Sequence, residues 1–216
     1  MAELQFCLRV FASRPTQMAE AANHLVKEIA HWAAKIAAPQ VALAGGTTPT
    51  AMYPLLAARQ WHGVQFMPTD ERCVPEGHPR SNIGMLRRTL GADKNIVPLV
   101  EGEEIKTTGM NGSELLAPHA VLLGAGTDGH VASLFADLPM DNKTRKVQRV
   151  RPAGQPEERL TLPMATLAAA PFLLLLICGD DKFRLLGESA DGNLPLTRLL
   201  AMRQNLAQDT WIYYAQ

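Results

Sequence analysis

The stretch Ala120-Val121-Leu122-Leu123-Gly124-Ala125-Gly126-Thr127-Asp128-Gly129-His130-Val131-Ala132-Ser133-Leu134-Phe135 decides how this chain is read. An apolar run breaks into a glycine-rich turn, an Asp and a His emerge from it, and a second apolar segment begins. The pattern predicts a strand, a tight loop and the start of a helix. In an open α/β sheet, ligands bind in the crevice outside the carboxyl ends of the strands, so Asp128 and His130 fall where a substrate is handled.

Other strand ends are legible on either side of this one. Val41-Ala42-Leu43-Ala44 reads as a short strand, and Gly45-Gly46-Thr47-Thr48-Pro49 follows it directly. Pro49 suits the first helical position with Thr48 as N-cap, which puts the glycines at a helix N-terminus, where free amides favour an anion. The loop reads either as a phosphate cradle or as an ordinary turn that needs glycine. It is not a Walker A loop, because no Gly-Lys-Ser/Thr follows. Pro54 should kink or end the helix beyond.

Residues 64–67 predict a strand that delivers Asp70-Glu71-Arg72 at its carboxyl end. These charges are either a solvated turn or a site in which one carboxylate orients a partner and the guanidinium clamps a phosphate. Ser81 or Asn82 caps a helix that runs through Leu90 and stops at Gly91. Residues 172–178 are almost wholly apolar, as for a strand buried on both faces of a parallel sheet. Lys182 lies just beyond them, in the first turn of a helix, and either faces water or points into the same crevice.

The rest of the chain fills in the alternation. Residues 4–11 predict a half-buried strand. Pro15-Thr16 offers an N-cap, and Met18, Ala22, Leu25, Ile29, Trp32 and Ile36 make one apolar stripe on a helix that ends before Pro39. His24 and His31 beside that stripe read as helix-face histidines with no ligand role. Residues 95–100 predict a strand, 101–113 a surface loop or shortened helix, and 146–151 an edge-like strand. Residues 163–170 and 195–202 read as helices and 211–214 as a last strand. Together these predict a single α/β domain over residues 1–216, a three-layer, mostly parallel Rossmann-like sheet with helices on both faces.

Composition narrows the function classes. Lys plus Arg and Asp plus Glu balance at 21 each and are dispersed, so no basic stripe marks a nucleic-acid or anionic-membrane partner. Cys7, Cys73 and Cys178 have no CxxC spacing and predict reduced thiols rather than a disulfide framework or zinc site. The N-terminus lacks a basic segment followed by an apolar one. The longest apolar run, 165–178, contains Pro171 and is too short to span a bilayer. These features predict a cytoplasmic protein; they do not fix its oligomeric state, and a monomer and a small homo-oligomer are both open.

Residues 124–129 formally match the dinucleotide fingerprint GxGxxG. The acidic residue expected about twenty positions later is not convincingly supplied by Asp141, which lies in a polar turn. Gly-x-Ser-x-Gly is absent, which argues against a nucleophile elbow, and no HExxH or comparable spacing suggests a metal. What remains is a histidine and carboxylates at strand ends, with Gly45, Gly46, Thr47, Thr48, Arg72 and Lys182 as anion binders. The residues point to acid/base chemistry on a small phosphorylated substrate.

The motifs together resemble the 6-phosphogluconolactonase family, in the superfamily that also holds glucosamine-6-phosphate deaminases and ribose-5-phosphate isomerases. The resemblance runs through residues 44–49, Asp70-Glu71-Arg72-Cys73-Val74-Pro75 with Ser81-Asn82, residues 123–135, Arg159-Leu160-Thr161-Leu162, and Gly179 with Lys182. Ala132-Ser133-Leu134-Phe135 looks like the lactonase version of the segment after Asp-Gly-His. The resemblance implies hydrolysis of 6-phosphoglucono-δ-lactone in the oxidative pentose phosphate pathway, without metal or organic cofactor. It also implies His130 as general base, Asp128 and Asp70 as organisers, and Arg72, Lys182 and the 45–48 loop as phosphate holders. A deaminase or isomerase on the same scaffold and a non-catalytic sugar-phosphate sensor are the alternatives.

Overall fold

Residues 172–178 send side chains alternately to two sides of a sheet, and both sides are covered. In the computed structural model, which describes residues 5–91, 93–109, 114–139, 141–187 and 194–216, Leu173, Leu175 and Ile177 pack in one core with Leu167, Leu196 and Leu199. Phe172, Leu174 and Leu176 join a second core with Leu25, Ile29 and Leu86. Burial on both faces explains why this strand reads as a continuous apolar run.

In chain order the elements are β1 (Cys7–Phe11), α1 (Arg14–Ala33), β2 (Gln40–Leu43), α2 (Thr47–Thr50), α3 (Tyr53–Ala57), β3 (Gln65–Pro68), β4 (Asp70–Arg72), α4 (Asn82–Leu90) and β5 (Asn95–Ile96). They continue with β6 (Thr107–Thr108), β7 (Glu114–Leu115), β8 (Ala120–Gly124), β9 (Gln148–Val150), β10 (Arg159–Thr161), α5 (Met164–Ala169), β11 (Phe172–Cys178), α6 (Asp180–Arg184), α7 (Pro195–Asn205) and β12 (Thr210–Ala215). A seven-stranded sheet has the order β1-β12-β11-β8-β2-β3-β5, and all its pairings are parallel. From β2 the chain moves outward through β3 to β5, then returns to the other side of β2 as β8 and moves outward through β11 to β12. The order therefore reverses between β2 and β8, and the crevice at such a switch point is where open α/β sheets bind ligands. A second, antiparallel sheet has the order β4-β10-β9, and it brings β4 back beside the carboxyl ends of the main sheet.

Two buried polar side chains tie the layers together. Gln17 on α1 donates through Nε2 to the carbonyls of Ile177 (2.9 Å) and Tyr213 (2.6 Å) at the ends of β11 and β12. Arg203 on α7 is fully buried and donates to the carbonyls of Leu167 (3.4 Å), Ala168 (3.0 Å), Ala170 (2.8 Å) and Asp209, and to Thr210 Oγ1 (2.8 Å). It satisfies the orphan carbonyls at the end of α5 in an interior where water does not reach them.

Several expectations are corrected. Ser13, not Pro15-Thr16, caps α1. The strand β1 is not half-buried: it is an edge strand with Leu8 and Val10 exposed. Pro54 does interrupt the helix after β2, starting a second short helix instead of bending one long one. The 95–100 strand shrinks to β5, and the 101–113 region contributes β6, which pairs with β7; residues 110–113 lie outside the described set. The largest departure is that, among the described residues, no helix lies between His130 and α5. Among the described residues no helix is long and apolar enough to cross a membrane.

Candidate active site

The two loops flanking the switch point face one cavity of about 250 Å3. After β2, Ala44 still donates to Leu122 of β8 (3.1 Å), and the buried Tyr53 hydroxyl donates to the Ala44 carbonyl. Beyond that anchor Gly46 turns at φ +93°, a conformation open to glycine, and α2 begins at Thr47 with Gly46 as N-cap. The predicted Thr48 cap is thus two residues late, because the glycine turn itself starts the helix. Among the described residues no protein group accepts from the amides of Gly45, Gly46, Thr47 or Thr48, and all four residues line the cavity.

After β8 the chain does not enter a helix. Gly126 donates to the His130 carbonyl (2.9 Å), Ala125 bridges to Val131, and Leu134 donates back to Val131 (2.9 Å). Ser133 is drawn away by Asp70 and by Thr161, whose Oγ1 accepts from the Ser133 amide at 3.2 Å. These tertiary bonds override the apolar periodicity. They also remove the helix N-terminus that a GxGxxG dinucleotide site requires, and Asp141 merely closes a turn on Lys143 and Thr144.

The folded-back loop holds a dyad. Asp128 Oδ1 lies 2.6 Å from His130 Nδ1 and 3.3 Å from the His130 amide. Burial alone would raise the Asp128 carboxyl, but the bond to His130 and the imidazole's charge outweigh it and hold the group below the ordinary carboxylate value. An ionised carboxylate only accepts, so it holds a proton on Nδ1, and in the neutral form of the ring Nε2 then carries the free lone pair. Phe135 stacks on the imidazole with centroids 4.4 Å apart. Gly126 makes room for this arrangement: a Cβ there would lie 2.2 Å from His130 Nδ1 and 2.4 Å from Asp128 Oδ1.

The small antiparallel sheet supplies the opposite wall. Asp70 is buried; its Oδ2 accepts from Ser133 Oγ at 2.6 Å. Arg72 donates through Nη1 to Asn82 Oδ1 and to the Arg80 carbonyl, both at 2.9 Å. In the β4–β10 ladder Arg159 sits directly opposite Arg72. Like charges facing each other across an antiparallel pair repel. Arg159 is 6% exposed, and burial first, then Arg72, push its guanidinium below the usual arginine value. Its nearest carboxylate, Asp70, is 3.9 Å away, and the Nε atoms of both arginines are buried without a hydrogen-bond partner. Lys182, in the first turn of α6 after β11, lines the same cavity. Among the described residues neither Arg72 nor Lys182 forms an ion pair with a carboxylate. Three cations and four free amides around one small cavity form an arrangement chemically suited to a multiply charged anion.

Gly45, Gly46, Thr47, Thr48, Asp70, Arg72, His130 and Lys182 thus share one cavity, with Asp128 immediately behind His130. Residue chemistry along the sequence does not mark Arg159 or Asn82 as site residues, although both fall in segments that carry the family resemblance. That Arg159 faces Arg72 follows only from the register of β10 on β4, and the grip of Asn82 only from its bonds to Asp70 and Arg72. Among the described residues no cluster of three or more His, Cys, Asp or Glu has the geometry to hold a metal ion.

An all-parallel sheet with an anion loop on one side of its switch point and a His–Asp dyad on the other defines an α/β enzyme for small anionic substrates. The sequence profile of glucosamine-6-phosphate isomerases/6-phosphogluconolactonase matches residues 13–208, and the chain belongs to this family. It is 32% identical to a 6-phosphogluconolactonase of Caulobacter vibrioides over 94% of this chain and 96% of that protein. It is 36% identical to one of Pseudomonas aeruginosa over 76% and 78% of the two chains. Its fold matches the crystal structure of a 6-phosphogluconolactonase from Shewanella baltica with a TM-score of 0.83, at 20% identity and full coverage of both chains.

Proposed function

We propose that the chain hydrolyses 6-phosphoglucono-δ-lactone to 6-phosphogluconate, the hydrolytic step of the oxidative pentose phosphate pathway. The observation that carries this reading is the placement of the His130–Asp128 dyad and the cations Arg72, Arg159 and Lys182 on one cavity of about 250 Å3. Membership in the family and the lactonase relatives support it.

In this reading the phosphate lies on the 45–48 amides and among the three cations, and its fixed position brings the lactone carbonyl to His130. Binding energy from the phosphate, remote from the reacting carbon, then goes into orientation. His130 Nε2 takes a proton from water as the water oxygen bonds to the carbonyl carbon. The tetrahedral adduct collapses with cleavage of the carbon–ring oxygen bond, and the imidazolium returns its proton to that oxygen. Asp128 keeps the imidazole in the correct tautomer and stabilises its transient charge. Asp70, bonded to Ser133 and close to Arg159, holds the wall that carries the cations.

The test is the rate of acid release from freshly prepared 6-phosphoglucono-δ-lactone, corrected for its spontaneous hydrolysis, run beside ammonia release from glucosamine 6-phosphate. Acceleration of the first and none of the second is expected. Ammonia release would show a deaminase, and phosphate binding with neither activity would show a sensor.

A further inference from the structure

One side chain touches both the glycine loop and Arg72, on facing walls of the cavity, without being counted among the phosphate holders. Asn82, 2% exposed, is the first residue of α4. Its Nδ2 donates to the Asp70 carbonyl at 2.6 Å, and its Oδ1 accepts from Arg72 Nη1 at 2.9 Å. Its carboxamide also lies against the Cα of Gly45, so closely that a Cβ on residue 45 would fall 2.1 Å from Oδ1. The side chain therefore fits into the space left by a missing side chain in the anion loop, while it grips the arginine on the facing wall.

Asn82 is itself fixed by Glu71. Glu71 Oε1 accepts from the amides of Arg72 and Asn82, both at 2.7 Å. Oε2 accepts from the Ile83 amide at 2.6 Å and from Ser81 Oγ at 3.2 Å. A carboxylate on the first amides of α4 satisfies orphan donors and opposes the positive end of the helix dipole. Ser81, whose Oγ accepts from Gly84 (3.0 Å), completes the cap. The start of α4 is thereby locked to β4, and Asn82 has one orientation available. Only a carboxamide meets both demands at this point. Asp has no donor for the Asp70 carbonyl, and an apolar side chain leaves that carbonyl and Arg72 Nη1 each short of a partner.

We infer that Asn82 is a positioning residue that sets the distance between Arg72 and the Gly45–Thr48 loop, so that both reach the same phosphate group. The inference rests on the reading of this cavity as a phosphate site, and it assigns Asn82 no contact with the lactone. Loss of one hydrogen bond to a charged group weakens binding by roughly tenfold or more. If Asn82 acts through Arg72, its removal has little further effect once Arg72 is gone.

The experiment is a double-mutant cycle on the binding of inorganic phosphate, measured by titration calorimetry on wild type, Asn82→Ala, Arg72→Ala and the double variant. Asn82→Ala is expected to raise the phosphate Kd about tenfold, and the double variant to match Arg72→Ala within about twofold. In turnover of the phosphorylated lactone, KM of Asn82→Ala should rise by the same factor while kcat changes less than about threefold. Should Asn82→Ala not fold, Gly45→Ala disturbs the same contact from the other side and is expected to weaken phosphate binding comparably. An Asn82→Ala protein that binds phosphate within about twofold of wild type, or effects that multiply in the double variant, overturns the inference. Phosphate binding that obeys the cycle in a protein without lactonase activity leaves the inference standing and refutes the proposed reaction instead.

Discussion

Adding a single methyl group at Gly126 tests whether the dyad's geometry is what makes the site reactive. The Cβ of an alanine would lie 2.2 Å from His130 Nδ1, 2.3 Å from its Cε1 and 2.4 Å from Asp128 Oδ1. Ordinary van der Waals contact begins near 3.4 Å, so the imidazole and carboxylate must retreat by roughly 1.2 Å or the loop must open. Gly126 does not have a positive φ, so alanine adds no backbone strain of its own. The backbone bond from Gly126 to the His130 carbonyl can persist. A misplacement of about 1 Å costs on the order of a hundredfold in rate. Gly126→Ala is therefore expected to lower kcat by about two orders of magnitude, with the phosphate Kd little changed because the anion loop and arginines lie on other elements. Initial rates of lactone hydrolysis above the spontaneous background, with phosphate titrations in parallel, give both numbers. A Gly126→Ala enzyme within about threefold of wild-type kcat would refute the claim that a close-packed dyad carries the reaction.

Further expectations concern charge and stability. Inorganic phosphate at one fixed concentration, about a hundred times the wild-type Kd, should stabilise the wild type by about 2.7 kcal/mol, because it binds the folded chain and not the unfolded one. Arg159→Met should lose most of that gain in a thermal melt, and an undiminished gain would contradict the facing-arginine reading. Arg203→Met leaves buried carbonyls of Leu167, Ala168, Ala170 and Asp209 without their donor. It should cost roughly 4 kcal/mol and lower Tm on the order of 10 °C; a fall under about 3 °C would show that the end of α5 re-satisfies itself. His119 is fully buried, accepts from the Gln40 amide through Nδ1 and donates from Nε2 to Thr108, and burial pushes its pKa down, as it does for His24. A lowered histidine pKa means that the unfolded chain takes up the proton first. Stability should therefore fall as pH drops below about 6.5 toward the folded-state values, and be fully present above it. Chemical denaturation at pH 7.5 and 5.5 should show this fall, with a smaller difference in His119→Asn; equal stability at the two pH values would contradict it.

The strand ends were legible because the seven-stranded sheet is parallel and its buried strands stand out as apolar runs. Each run that stops at glycine or charge marks a carboxyl end, and Gly45, Asp70, Asp128, His130 and Lys182 all lie just beyond such ends. What stayed hidden lies in pairings between distant segments. Nothing local to Arg159 says that it faces Arg72, since that follows from the register of β10 on β4. Asn82 reads as a helix cap because capping is local, whereas its grip on Arg72 and its fit against Gly45 are tertiary. The apolar segment after His130 has helical spacing, yet the bonds of Ser133 to Asp70 and Thr161 and the bridge from Val131 to Ala125 hold it in a turn. Exposure of Leu8 and Val10 was equally unreadable, because alternation predicts a strand but not whether an outer neighbour covers it.

The central claim is that His130, oriented by Asp128, activates water against a lactone whose phosphate is held elsewhere in the cavity. The most direct measurement compares wild type with His130→Gln for both lactone hydrolysis and phosphate binding. Loss of general-base catalysis should lower kcat by about 100- to 10,000-fold, while the phosphate Kd stays within about twofold. A His130→Gln protein that hydrolyses the lactone at near wild-type rates, or one that loses phosphate binding together with activity, would contradict the account.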